Sequence, residues 1–136
     1  MSQTISLSVR QAGPATSIAA TRGHEVHVDR PTAKGGDDKG PMGGELLLMG
    51  LGGCFMSNLL AAVKARKAPV SDIQTRVEAT LEGTPKRFSS YTLYVSARCD
   101  DPALLEKLAL IAERGCIAAN SLKRGAPVHL VTETID

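Results

Sequence analysis

The chain of 136 residues has no Trp, two Phe and two Tyr, and its charge is close to balanced at +2. No block of Lys and Arg stands out. A nucleic-acid binder would want a clustered basic face and, for single strands, aromatic platforms. Both are missing, which sets nucleic acid aside. The opening residues, "MSQTISLSVRQ", have no basic stretch leading into an apolar one. A signal peptide is therefore not expected, and the cytoplasm is the default compartment. Three cysteines in a cytoplasmic chain do not read as a disulfide framework. No C-x-x-C occurs and no His stands at ligand spacing from a Cys, so neither a zinc site nor another cofactor is expected. The histidines (His24, His27, His129) have no Ser or Asp at a spacing that suggests a triad. Internal repeats and low-complexity tracts are absent too, and the length fits one domain, 1–136.

The longest absence is of charge. From Leu46 to Val63, within "GPMGGELLLMGLGGCFMSNLLAAVKAR", no residue is ionised at neutral pH. Pro69 stops this segment, which the pattern predicts as a helix over 45–66. Glu45 suits its positive N-terminal end, and Lys64, Arg66 and Lys67 suit the negative C-terminal end. A helix apolar on all sides must be buried on all sides. The uncharged segment is at the short end of the roughly 17–25 residues that span a bilayer. It also holds Gly50, Gly52 and Gly53, and its neighbours read as a soluble antiparallel domain. A membrane span is not expected. One sheet covers one face of such a helix, and a second copy of the same helix would cover the other. The glycines would let the two backbones approach closely, and a two-fold dimer is the commonest assembly. An obligate homodimer is expected; the alternative is a monomer whose C-terminal helices cover the second face.

Around the helix the periods are those of strands and amphipathic helices. Residues 3–11 alternate at Ile5, Leu7 and Val9. Segments 15–21 and 24–29 read as two further strands broken at Gly23. Residues 30–44, "RPTAKGGDDKGPMGG", form a long wet loop, and long ordered loops are often functional. Segments 72–82 and 88–98 alternate and form a hairpin through "GTPKR". Asp101 can cap a helix that has Pro102 at its first position. Leu104, Leu105, Leu108, Ile111 and Ala112 then make one stripe, and Gly115 stops it. A short helix, 116–123, restarts at Cys116, and 127–135 reads as a final strand. The order βββ, helix, ββ, helices, β implies an α+β fold with antiparallel sheets.

The cysteines divide by surroundings. Cys54 follows Gly52-Gly53, which thins the wall around its sulfur; otherwise it is a small core residue. Cys116 stands at a helix start, where thiol pKa falls, or it is a buried junction residue. Cys99 precedes Asp100-Asp101, whose charge disfavours a thiolate, and reads as structural. Two reactive thiols far apart in sequence suggest a pair that meets in the fold, one attacking and one resolving. A peroxide-reducing thiol also needs access for a slim substrate and a cation to hold the thiolate. Arg10, Arg22, Arg30, Lys34 and Lys39 are the cations of the N-terminal half, and sequence does not choose among them. Glu45 lies nine residues before Cys54, which on one helix is about 900° of rotation and about 13.5 Å of rise. It therefore serves the helix dipole or reaches a site across a dimer seam.

"GGELLLMGLGGCFMSNLLAA", followed later by "AERGCIAANSLKRGAPVHL", resembles the OsmC/Ohr family of osmotically inducible and organic-hydroperoxide-resistance proteins. The resemblance implies antiparallel sheets wrapped around central helices in an intertwined homodimer, with two active sites at the interface. It implies a thiol peroxidase acting on organic hydroperoxides and hydrogen peroxide, with Cys54 peroxidatic and Cys116 resolving. It implies a dithiol or lipoyl reductant, and it points to Glu45 and Arg30 as site residues, with Lys34 and Lys39 as alternative cations. The better-known branches carry their acidic residue ten positions before the first cysteine. Here that position is Gly44, which suggests a broader OsmC-like subgroup. Two competing expectations are a non-catalytic small-molecule binder using the same pocket and a structural stress protein whose cysteines are core.

Overall fold

The computed structural model describes residues 1–135. Two compact units divide the chain, Met1–Met49 and the part from Gly50 onward. Helix α1 (Gly43–Arg66) begins in the first and continues into the second.

The first unit is a three-stranded antiparallel meander, β1 (Ser8–Gln11), β2 (Ser17–Thr21) and β3 (His24–Val28), in the order β1-β2-β3. Thr21 pairs with His24 across a two-residue turn. Arg22 and Gly23 both take positive φ there, 52° and 83°, as a tight hairpin with right-handed strand twist requires. Strand β1 is shorter than its alternation predicts. Residues 1–7 are exposed and unpaired, because β2 offers partners only for Ser8 to Gln11. The loop beyond β3 holds one 3-10 turn, Thr32–Lys34. Thr16, just before β2, and Asp29, just after β3, are the buried residues of this unit, and no apolar side chain of it is fully buried among the described residues.

The second unit carries the apolar core. Leu51, Phe55, Leu59 and Ala62 form one stripe along α1 and pack with Val70, with Leu108 and Ala112 of α2 (Pro102–Arg114), and with Cys116 and Ala119. Strands β4 (Ser71–Glu82) and β5 (Arg87–Arg98) form the predicted hairpin. Its inner side presents Ile73, Val77, Tyr91, Leu93, Val95 and Ala97 to that stripe. On its outer side Arg76 pairs with Glu78 and lies over the Tyr94 ring, 4.1 Å from the centroid. Gly52 is where helix and hairpin touch. A Cβ there would stand 2.8 Å from Val77 Cγ2, so only glycine lets β4 pass this close. Gly50 and Gly53 face open space instead.

Asp101 caps α2 as predicted, its Oδ1 accepting from Ala103 N (3.1 Å) and Leu104 N (3.4 Å), with Pro102 in the first turn. Helix α3 (Ile117–Arg124) follows after two residues. One expectation changes. Residues 127–135 make no strand, since they meet no free sheet edge in this chain; Val128, Leu130, Val131 and Ile135 all stay exposed. Within the single chain, helix α1 is buried along one stripe. Its opposite face carries Met49 and Leu60, which are 57% and 52% exposed. By length and composition alone α1 could cross a membrane, but its buried stripe makes it the core helix of the second unit.

Candidate active site

Cys54 and Cys116 lie 62 positions apart in sequence, and the fold brings their thiols close enough to shift each other's pKa. Cys54 sits on α1 between Leu51 and Phe55, both buried, and is itself half-buried. Cys116 is fully buried and is the N-cap of α3. Its Sγ accepts from Ala119 N at 3.4 Å, the bond a Ser or Asp cap would make. A helix start leaves N–H groups without intrahelical partners. Here those amides point at two sulfurs.

The two thiols are driven apart electrostatically. The Ala118 N–H lowers the pKa of Cys54 most; burial opposes it, and the Cys116 S–H and the Ile117 N–H lower it further. Burial pushes Cys116 upward, against the amides of Ala119 and Ala118, and the neighbouring Cys54 pushes it up again. Cys54 is thus the more acidic thiol of the pair, and Cys116 the one that holds its proton more tightly. That division suits a nucleophile beside a proton-bearing partner.

A cleft of roughly 530 Å³ opens within the same unit, walled by Leu51, Tyr91, Leu93, Ala119 and Leu122, with Glu113 and Lys123 among its polar residues. Those two are ion-paired at 3.3 Å. Leu51 is three residues before Cys54 and Ala119 three after Cys116, so the cleft shares both of the elements that carry the thiols. The third cysteine is engaged locally: the half-buried Cys99 donates through Sγ to Asp101 O at 3.2 Å.

The other two predicted residues belong to the N-terminal unit. Glu45 caps α1: its Oε1 accepts from Met42 N at 2.8 Å, the return half of a capping box. Arg30 has an exposed side chain, and its backbone is fixed at both ends. Its N–H donates to Asp29 Oδ1 at 2.7 Å and its carbonyl accepts from Asp38 N at 3.0 Å.

Asp29 is the residue that sequence reasoning missed. It is buried and accepts from Thr16 Oγ1 (2.7 Å), Arg30 N, Lys39 N (3.2 Å) and Asp37 N (3.4 Å). The Thr16 hydroxyl foremost, and the three amides with it, hold its carboxyl below the usual carboxylate range against the opposing pull of burial. The loop that carries Arg30, Lys34 and Lys39 is thereby folded around one anion. Glycines complete it: a Cβ at Gly36 would stand 2.0 Å from the Arg30 carbonyl oxygen, and one at Gly40 2.1 Å from that of His27. An Asp opening a Gly-rich loop was the available signal.

The described residues contain no group of three or more His, Cys, Asp and Glu placed to hold a metal ion. Residues 36–131 match the family model for OsmC-like protein. A comparison with curated proteins finds no match by sequence. Among solved structures, an OsmC-like protein from Mycoplasma pneumoniae is similar at TM-score 0.77 and 16% identity, covering 90% of this chain and 89% of that one. An organic hydroperoxide resistance protein from Elizabethkingia anophelis is similar at TM-score 0.69 and 18% identity, covering 92% of each chain. Another, from Legionella pneumophila, is similar at TM-score 0.62 and 20% identity, covering 91% of this chain and 93% of that one.

Proposed function

Because the chain belongs to the OsmC-like protein family, we propose that it is a thiol-dependent peroxidase that reduces organic hydroperoxides. The observation that supports this reading is the Cys54–Cys116 pair, with the Cys54 thiol made more acidic by the first amides of α3. The hydroperoxide-resistance proteins of similar fold support the substrate class.

The Cys54 thiolate attacks the outer oxygen of the hydroperoxide. The O–O bond breaks, the alcohol leaves with a proton, and Cys54 becomes a sulfenic acid. The Cys116 sulfur then attacks the Cys54 sulfur. Water leaves, and a Cys54–Cys116 disulfide remains. A dithiol, or a lipoyl group as the family resemblance implies, returns the pair to thiols. Hydrogen peroxide follows the same path. Arg30 is proposed as the cation that polarises the O–O bond, with Glu45 as the accompanying carboxylate. The working form is proposed to be a cytoplasmic homodimer built on α1.

Mass spectrometry after stoichiometric cumene hydroperoxide tests the reading. A loss of two hydrogens mapping to the Cys54–Cys116 peptides is expected. Cys54→Ser is expected to abolish peroxide consumption, and unchanged consumption would refute the reading. Arg30→Ala should slow consumption at least tenfold while the fold is kept; an unchanged rate removes Arg30 from the site.

A further inference from the structure

Helix α2 ends at Arg114 and α3 starts at Ile117, so Cys116 stands in a two-residue joint, Gly115-Cys116. The joint's position decides where the Cys116 sulfur lies. A helix end leaves four carbonyls without intrahelical partners. Here all four are engaged. Ile111 O accepts from Gly115 N at 3.4 Å and Glu113 O from Cys116 N at 3.1 Å. Arg114 O accepts from Asn120 Nδ2 at 3.0 Å, and Ala112 O from Asn58 Nδ2 at 3.2 Å. Three of these donors belong to the joint or to α3. The fourth, Asn58, comes from α1.

Asn58 is four residues after Cys54, one turn further along the same face of α1. One helix therefore carries both the Cys54 sulfur and the amide that ties down the joint holding Cys116. The contact is close. A Cβ on Gly115 would stand 3.4 Å from Asn58 Nδ2, so the joint runs directly over the amide. The Asn58 side chain is half-buried, has two rotatable bonds, and donates to a carbonyl that would otherwise lose its partner.

We propose that Asn58 is a positioning residue for the Cys54–Cys116 couple: by fixing the end of α2 to α1, it sets how readily the two sulfurs bond. The inference rests on Cys54 and Cys116 acting as a redox pair, as in the reading above. Disulfide geometry is narrow, with Cα atoms roughly 4.4–6.8 Å apart and a restricted dihedral. An alignment held in advance raises the effective concentration of one thiol at the other. Freed from Asn58, the joint samples positions from which Cys116 does not reach. The attack on hydroperoxide is made by the Cys54 sulfur, and the joint enters that step only through the α3 amides and the Cys116 S–H that lower the Cys54 pKa.

The test equilibrates the full-length protein with glutathione redox buffers. Cys54 thiolate displaces glutathione from its disulfide, forming a mixed disulfide. Cys116 then displaces the second glutathione, which leaves with the Cys116 proton, and the protein disulfide forms. Asn58→Leu, of similar size but without a donor, is expected to lower the equilibrium constant for that disulfide about tenfold, a rise in reduction potential of about 30 mV. Asn58→Gln, which keeps the amide, is expected to recover part of the loss. A constant within twofold of wild type in Asn58→Leu overturns the proposal, as does a loss that Asn58→Gln does not relieve at all. Asn58→Ser gives the same measurement if the leucine variant does not fold. A second arm follows trapping of the Cys54 sulfenic acid after cumene hydroperoxide. Cys116→Ser, in which nothing resolves the sulfenic acid, forming none counts against the peroxidase, while the glutathione arm on the intact pair still decides on Asn58.

Discussion

Two cysteines of one chain differ in acidity because their surroundings differ. Cys54 is half-open and its pKa is lowered by N–H groups at the start of α3; Cys116 is sealed in the core, where burial raises its pKa. Part of the Cys54 shift comes from the Cys116 S–H itself. Cys116→Ala should therefore move the pH midpoint of Cys54 alkylation by iodoacetamide upward, towards the ordinary thiol value of about 8.5. Cys116→Ser keeps a donor and should keep most of the shift. Equal midpoints in wild type and Cys116→Ala would show that the second thiol has no part in holding the first. In the sequence the meeting of Cys54 and Cys116 follows only from reading both as reactive, whereas the capping position of Cys116 is written locally, in a Gly-Cys pair that ends one helix and begins the next.

The elements differ in how far their residues announce them. The β4–β5 hairpin, the Asp101-Pro102 start of α2 and the Gly115 stop are set by neighbours in sequence, and they form where local chemistry places them. The tail, 127–135, alternates like a strand and still pairs with nothing, because a strand is completed by an edge that local pattern does not supply. The loop after β3 fails to announce itself for the opposite reason. Its organiser, Asp29, takes one of its partners from Thr16, beyond β2 and β3. A carboxyl held below its unfolded value stabilises the fold fully above about pH 4, and that contribution fades as pH falls through the lower, folded value. Asp29→Asn should therefore be less stable than wild type at neutral pH, and the gap should close on acidification. Urea unfolding at a series of pH values measures it. A gap that stays constant down to pH 2 would exclude the anion as the cause.

For the molecule as a whole, the governing fact is the asymmetry of α1. One stripe, Leu51, Phe55, Leu59 and Ala62, is covered within the chain. The opposite one, with Met49, Gly53, Met56 and Leu60, is largely open, and glycine leaves it low at Gly53. An apolar surface of this kind on a folded chain marks an interaction site, and the proposed homodimer would place a second α1 there. Sedimentation should find a dimer for the wild type and a monomer for Leu60→Glu; a monomeric wild type would remove the homodimer. That open stripe also bears on how folding strength should be measured. If the last apolar surface of the helix is covered only by a second molecule, folding and association share one free energy. Dilution then acts on this protein as a mild denaturant, and its melting temperature rises with the amount of protein in the cell.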